Sequence, residues 1–252
     1  MKSKAIEIKQ ALKSGKPSIG SWMQIPDSSV AEIMGAAGYD WVAVDLEHGL
    51  FSKGLLPDIF RALELGGTVP VARVGLNEAL GIKHALEAGA RGVIVPMIES
   101  RAAMERAVES ALYTPRGKRG VGFSRASLFG KNFEDHLQRC DDELILVAQI
   151  EDIRAVREIQ EIAQTPGLDA MMVGPYDLSA SMNLTGQFEH PDFLAAVGEI
   201  RAAARSAEVA MGMHVVQPVP KNLAASVADG NQWIAYATDA IFLHKNAERP
   251  AL

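Results

Sequence analysis

Cysteine is nearly absent: Cys140 stands alone, so the chain offers no internal disulfide, no CxxC pair and no Cys/His cluster at zinc spacing. A reducing, cytoplasmic setting is the expectation that follows. No apolar run approaches the roughly 18 residues of a membrane span, and the charged start MKSKAIEIKQALKSGK has no apolar signal-peptide core. No membrane partner and no secretory signal are expected. The 25 Lys and Arg are outnumbered by 31 Asp and Glu and do not cluster, so no nucleic-acid partner is expected either. There is no GxGxxG after the first apolar run, no P-loop and no GxSxG elbow. Every lysine falls in a segment read as helix, loop or terminus, which disfavours a desolvated Schiff-base lysine.

What is present is alternation. Short runs rich in Val, Ile and Met recur at Ile19 to Met23, Trp41 to Leu46, Val69 to Val74, Gly92 to Met97, Leu144 to Ile150, Ala170 to Val173, Ala210 to His214 and Trp233 to Ala237. Helical spacing separates most of them: Ser28 to Ala37, Leu55 to Leu65, Ala79 to Ala88, Arg101 to Leu112, Ile153 to Ile162, Pro191 to Ala207 and Pro220 to Ala228. The runs are almost continuously apolar, as strands buried on both faces are. Asp27 or Ser28 suits the N-cap of the first of these helices, and Gly38 and Gly89 follow two of them where a left-handed residue is wanted. Strand and helix alternating eight times in 252 residues predict a single α/β domain over 1–252, a (β/α)8 TIM barrel; an open doubly wound sheet is the runner-up. The stretch from Tyr113 to Asp142 breaks the rhythm, with glycines, cations and a short helical hint at Phe133 to Leu137, and long loops of this kind are often functional.

Barrel active sites gather where strands end. The ends here read Asp45-Leu46-Glu47-His48-Gly49, Ala72-Arg73, Gln149-Ile150-Glu151 and Gly174-Pro175-Tyr176-Asp177. Glu151 and Asp177 end neighbouring strands about 4.8 Å apart and can share one hard cation, magnesium or manganese before zinc, or each can cap the helix that follows it. Arg73, buried at a strand end, needs an anion: a substrate carboxylate or enolate, or an ion pair with Asp45 or Glu47. His48 suits a general base and equally a plain loop histidine. His84, His136, His190 and His244 read as solvated, whereas His214 ends a strand. PRGKR at Pro115 to Arg119 is a cationic turn that weakly suggests phosphate recognition.

Seven segments in order, GSW at Gly20 to Trp22, AGYDWVAVDLEHG at Ala37 to Gly49, PVARV at Pro70 to Val74, VPMIES at Val95 to Ser100, YTPRGKRGVG at Tyr113 to Gly122, QIED at Gln149 to Asp152 and VGPYDLSAS at Val173 to Ser181, together resemble the HpcH/HpaI aldolases. These are metal-dependent pyruvate aldolases related to the citrate lyase β-subunit group. The resemblance implies a divalent cation, magnesium or manganese with cobalt also admitted, on Glu151 and Asp177. It implies Arg73 on the keto oxygen, Gln149 near the pyruvyl group, and His48 with Asp45 beside it as catalytic residues. The backbone around Gly174, Pro175 and Tyr176 would receive the substrate carboxylate. Glu87 falls where relatives carry an aspartate that a neighbouring subunit supplies to this histidine, so a homo-oligomer, hexamer, trimer or dimer, is implied. The chain ends soon after Phe242-Leu243, so the hexamer with a swapped final helix is not assumed.

The implied reaction is cleavage or formation of a 4-hydroxy-2-oxo acid from pyruvate and an aldehyde. The turn Gly49-Leu50-Phe51-Ser52 departs from the family pattern on the aldehyde side, and Glu87 is one methylene longer than aspartate. A keto-acid acceptor, a CoA thioester, and a non-catalytic barrel that binds a 2-oxo acid are the alternatives.

Overall fold

The computed structural model describes residues 3–247 and Arg249; the outermost residues of the expected 1–252 domain lie outside them. Eight parallel strands close into a barrel in sequence order: β1 (Ser18–Met23), β2 (Trp41–Asp45), β3 (Val69–Arg73), β4 (Gly92–Val95), β5 (Ile145–Ile150), β6 (Ala170–Val173), β7 (Ala210–Val215) and β8 (Trp233–Thr238). The (β/α)8 reading holds and the open sheet does not, because β1 pairs with both β2 and β8. All eight predicted strands are present, with ends moved by one or two residues.

Side chains alternate across each strand, and that period decides what reaches the mouth. Trp41, Ala43 and Asp45 of β2 point inward together, as do Val69, Val71 and Arg73 of β3, while Val42, Val44 and Ala72 join the outer core under the helices. The outer ring includes α2 (Ser28–Ala36), α3 (Leu56–Leu65), α4 (Ala79–Ala88), α5 (Arg101–Ala111) and, later in the chain, α10 (Pro191–Ser206) and α11 (Pro220–Ala228). Asp27 caps α2, accepting from the Ser29 and Val30 amides, and Gly38 and Gly89 take the left-handed conformation expected of them. The predicted helix Ile153 to Ile162 is two, α7 (Ile153–Arg157) and α8 (Ile159–Ala163), because Glu158 leaves helical geometry. Two short helices follow strand ends, α9 (Pro175–Ser181) after β6 and α12 (Asp239–Asn246) after β8.

Two helices exceed the sequence reading. The hint at Phe133 to Leu137 is an 11-residue helix, α6 (Phe133–Glu143), which has no fully buried residue and only a short apolar side of Phe133, Leu137 and Cys140. Arg139, paired with Glu143 at 2.7 Å one turn on, supports it instead. The charged N-terminus forms α1 (Lys4–Lys13), whose Ala5, Ile8 and Leu12 are buried in the same cluster as the inward residues of the barrel. It stoppers the strand-start end, tied by Lys9 to Asp169 at 3.1 Å.

Above α1, the rings of Trp41 and Trp233 stack at 3.8 Å and 1°. Gly20 makes room for them, since a Cβ there would lie 2.1 Å from the Trp41 ring. Gly20→Ala should therefore cost at least about 1–3 kcal/mol by overpacking, read as a lower denaturation midpoint. An unchanged midpoint would show that the floor repacks freely.

Candidate active site

At the mouth, β2 and β3 in register set Asp45 beside Arg73. Arg73 Nε donates to Asp45 Oδ1 at 3.0 Å and Nη2 to Oδ2 at 2.7 Å, a bidentate pair inside the barrel. Trp22 Nε1 and Gln24 Nε2 also donate to Oδ2, at 3.1 and 3.0 Å, and the amides of Glu47 and His48 to Oδ1, each at 3.1 Å. Burial alone would raise the Asp45 carboxyl, but the bond and charge of Arg73, with the His48 amide and Gln24, bring it down to about 2. An acceptor so fully used holds an arginine in place; it takes no proton. Glu47 Oε2 lies 2.9 Å from Arg73 Nη1 but off the N–H direction, so it contributes charge without a formed hydrogen bond. Both ion pairs considered for Arg73 thus exist, and Nη1 makes no hydrogen bond among the described residues.

On the other side of the mouth stand the carboxylates. Glu151 is buried, with Oε1 accepting from Gln149 Nε2 at 2.6 Å and Oε2 from the Met97 amide at 3.0 Å. It does not cap α7: Asp152 does, through the Arg154 amide. Burial pushes the Glu151 carboxyl up to about 7, and the nearby charges of Asp177 and Glu47 add to this against the Met97 bond. Gly174 is what admits Glu151, because a Cβ there would lie 2.6 Å from its Cγ and Oε1. Asp177 is exposed in the first turn of α9, whose N-cap is Gly174, so the capping alternative fails for it too. Pro175 has no amide hydrogen, which leaves the amides of Tyr176 and Asp177 to open that helix.

Among the described residues no group of three or more His, Cys, Asp and Glu side chains is gathered to hold a metal ion. A hard cation nonetheless commonly takes one or two carboxylates from the protein and its remaining ligands from substrate and water. Glu151 and Asp177 fit that pattern, and the buried Gln149 Oε1 beside them has no hydrogen-bond partner.

His48 is exposed in the turn after β2, joined to Asp45 through its amide and not its ring. Glu87 lies in the last turn of α4, toward the strand-start end of the barrel, 3.8 Å from Lys83. The chain by itself does not bring Glu87 to His48. His214 Nε2 lies 3.2 Å from the Ala237 carbonyl, which can only accept, so Nε2 carries the proton. Its ring stacks on Trp22 at 5.2 Å, and burial holds it down to about 4. The solvated reading of His136 is corrected: it packs edge-on to Tyr113, and burial followed by the charge of Arg119 lowers it to about 4.

Sequence reasoning missed Gln24, Met97 and Asp239. Gln24 follows Trp22 at the period-2 spacing of β1, a signal that was legible. Met97 has a left-handed backbone, φ 52°, that aims its amide at Glu151, and Asp239 clamps the amides of Gln24 and Ile25 at 2.9 Å each. Neither has a sequence signature.

The chain matches the HpcH/HpaI aldolase/citrate lyase family over residues 18–245. It belongs to that family. A hydroxypyruvate/pyruvate aldolase from Sagittula stellata is 34% identical over 95% of this chain and 94% of its own. A 4-hydroxy-2-oxo-heptane-1,7-dioate aldolase from Shigella sonnei is 32% identical over 95% and 91%. The crystal structure of an HpcH/HpaI aldolase/citrate lyase family protein from Burkholderia cenocepacia superposes with a TM-score of 0.90, at 33% identity and 96% coverage of both chains. This family member is an enzyme, an aldolase of the carbon–carbon lyase class.

Two outcomes test the site of this aldolase. Gly174→Ala should displace Glu151 and cut turnover by about 100-fold or more while the fold persists, since an ångström of misplacement is enough; wild-type turnover with normal circular dichroism would overturn the close-approach argument. His214 ordinarily titrates near 6.5 and here near 4, so the unfolded chain gains a proton first as pH falls. Its contribution is full above pH 6.5 and is lost on the way down to about 4, at most about 3 kcal/mol. His214→Phe should flatten the stability curve across that window, leaving the His136 share; an unchanged slope would refute the buried neutral imidazole.

Proposed function

We propose that the protein is a divalent-metal-dependent aldolase that forms and cleaves 4-hydroxy-2-oxo acids from pyruvate and an aldehyde. The observation that carries this reading is the pairing, in one barrel mouth, of a positioned guanidinium with two carboxylates that do not cap helices. Cleavage leaves the enolate of pyruvate, whose charge must be met as it develops. Arg73 meets it with the Nη1 edge, held at a fixed angle by Asp45. Glu151 and Asp177 hold the cation, magnesium or manganese, which supplies Lewis-acid stabilisation when bound. Gln149 offers a free acceptor beside the pyruvyl group, and the amides of Tyr176 and Asp177 orient the substrate carboxylate. His48, whose ring makes no hydrogen bond among the described residues, takes the 4-hydroxyl proton in cleavage and returns it in condensation.

Glu87 reaches that histidine only from another copy of the chain, so this reading includes a homo-oligomer. The names of relatives, for pyruvate, hydroxypyruvate and a 4-hydroxy-2-oxo diacid, support a 2-oxo-acid donor.

Incubation with pyruvate in deuterated water tests the reading without knowledge of the acceptor. Methyl protons should exchange with magnesium or manganese present and stop with EDTA. Exchange should fall by about 100-fold or more in Arg73→Ala, the order of loss for one oxyanion contact, and in Asp177→Ala. Metal-independent exchange, or full exchange in Asp177→Ala, would overturn the assignment.

A further inference from the structure

The cationic turn PRGKR has no part in the mouth, and the structure gives its last residue an unusual setting. Arg119 is only 8% exposed, and its backbone is pinned by an amide bond to Leu112 O at 2.9 Å. Its guanidinium lies over the Tyr113 ring at 3.8 Å. That stacking uses the face of the group and leaves the in-plane N–H donors free. Among the described residues none of those donors has an acceptor and no carboxylate pairs with Arg119; Nε is buried with no partner at all. A buried, unpaired arginine is costly, and the residues around it do not relieve the cost. Its charge is felt instead by His136, which it helps keep neutral.

Arg119 borders a cavity of about 510 Å³ in the groove between α4 and α5, outside the barrel and apart from the catalytic mouth. The wall carries Lys83, Arg106, Lys118 and Arg119 with one carboxylate, Glu109, which Lys118 engages at 2.8 Å, while Lys83 lies 3.8 Å from Glu87 beyond the wall. Arg106 has no side-chain partner among the described residues. The first turn of α4 closes one side through Ala79 and Leu80, and Glu78, its N-cap, makes no side-chain cap, so amide hydrogens there are unclaimed by it. Two arginines with no side-chain partner among the described residues, Arg106 and Arg119, and two lysines each holding one carboxylate leave a surplus of positive charge that suits a compact dianion better than a single carboxylate. The volume leaves space for an organic substituent.

We propose that this groove is a phosphoryl-binding site, taking inorganic phosphate or a phosphate monoester on Arg119, Arg106, Lys83 and Lys118. The test is calorimetric titration of metal-free full-length protein, at ionic strength held constant with chloride, with inorganic phosphate and separately with glycerol 3-phosphate. Saturable binding of either is the expected result; a tighter fit for the ester identifies an organic phosphate, and equal or weaker binding the free ion. Arg119→Met should weaken it about tenfold or more, Arg106→Gln and Lys118→Gln by several fold each, and Arg73→Ala not at all. If Arg119→Met does not fold, the Arg106→Gln and Lys118→Gln variants decide. No saturable binding of either anion, wild-type affinity in those variants, or loss of binding in Arg73→Ala overturns the proposal.

Discussion

The bidentate contact between Asp45 and Arg73 is the constraint on which the mouth is built. A guanidinium inside a barrel must be neutralised, and an aspartate inside a barrel must have every lone pair occupied. Each meets the need of the other, and the remaining acceptor capacity of Asp45 is filled by Trp22, Gln24 and two amides of the turn after β2. Through those bonds one carboxylate fixes the end of β1, the end of β3 and the start of the turn that carries His48. Asp239 extends the same network across the closure of the barrel, because it grips the backbone on either side of the Gln24 and Ile25 peptide.

Across the mouth the electrostatics run the other way. Glu151 is buried among like charges and is held by only two donors, so its carboxyl rises where that of Asp45 falls. Two acids a few residues from the same rim are thus driven apart by their partners, one locked in the ionised form and one receptive to a cation or a proton. Gly174 and the left-handed Met97 are the backbone devices that make room for the second and hold it. Such local strain is concentrated where the arrangement serves chemistry.

Much of this was legible because it follows from periodicity. Eight apolar runs separated by helical spacing are enough for a barrel, and alternation along β2 and β3 is enough to aim Asp45 and Arg73 inward. The strand-end rule then reached Glu151 and Asp177. What sequence could not show were features with no periodic trace. Helix α6 has no fully buried residue and leans on ion pairs, Met97 matters through its amide, and Asp239 acts on a loop more than 200 residues away. Of the two settings the sequence offers Asp45, beside His48 and paired with Arg73, the structure shows both, the first through the His48 amide and the second through the bidentate carboxylate. Glu87 was singled out by family pattern alone, and topology sets it toward the opposite end of the barrel from His48.

Helix α1 stoppers the strand-start end with Ala5, Ile8 and Leu12, and the tryptophan pair forms a second seal above it. The barrel is therefore a blind well. A small molecule seated against Arg73 and Glu151 sits beneath whatever enters after it, and entry and exit share one opening. Such a shape offers one way in and out, so anything lodged at its bottom can be reached or released only past what lies above it.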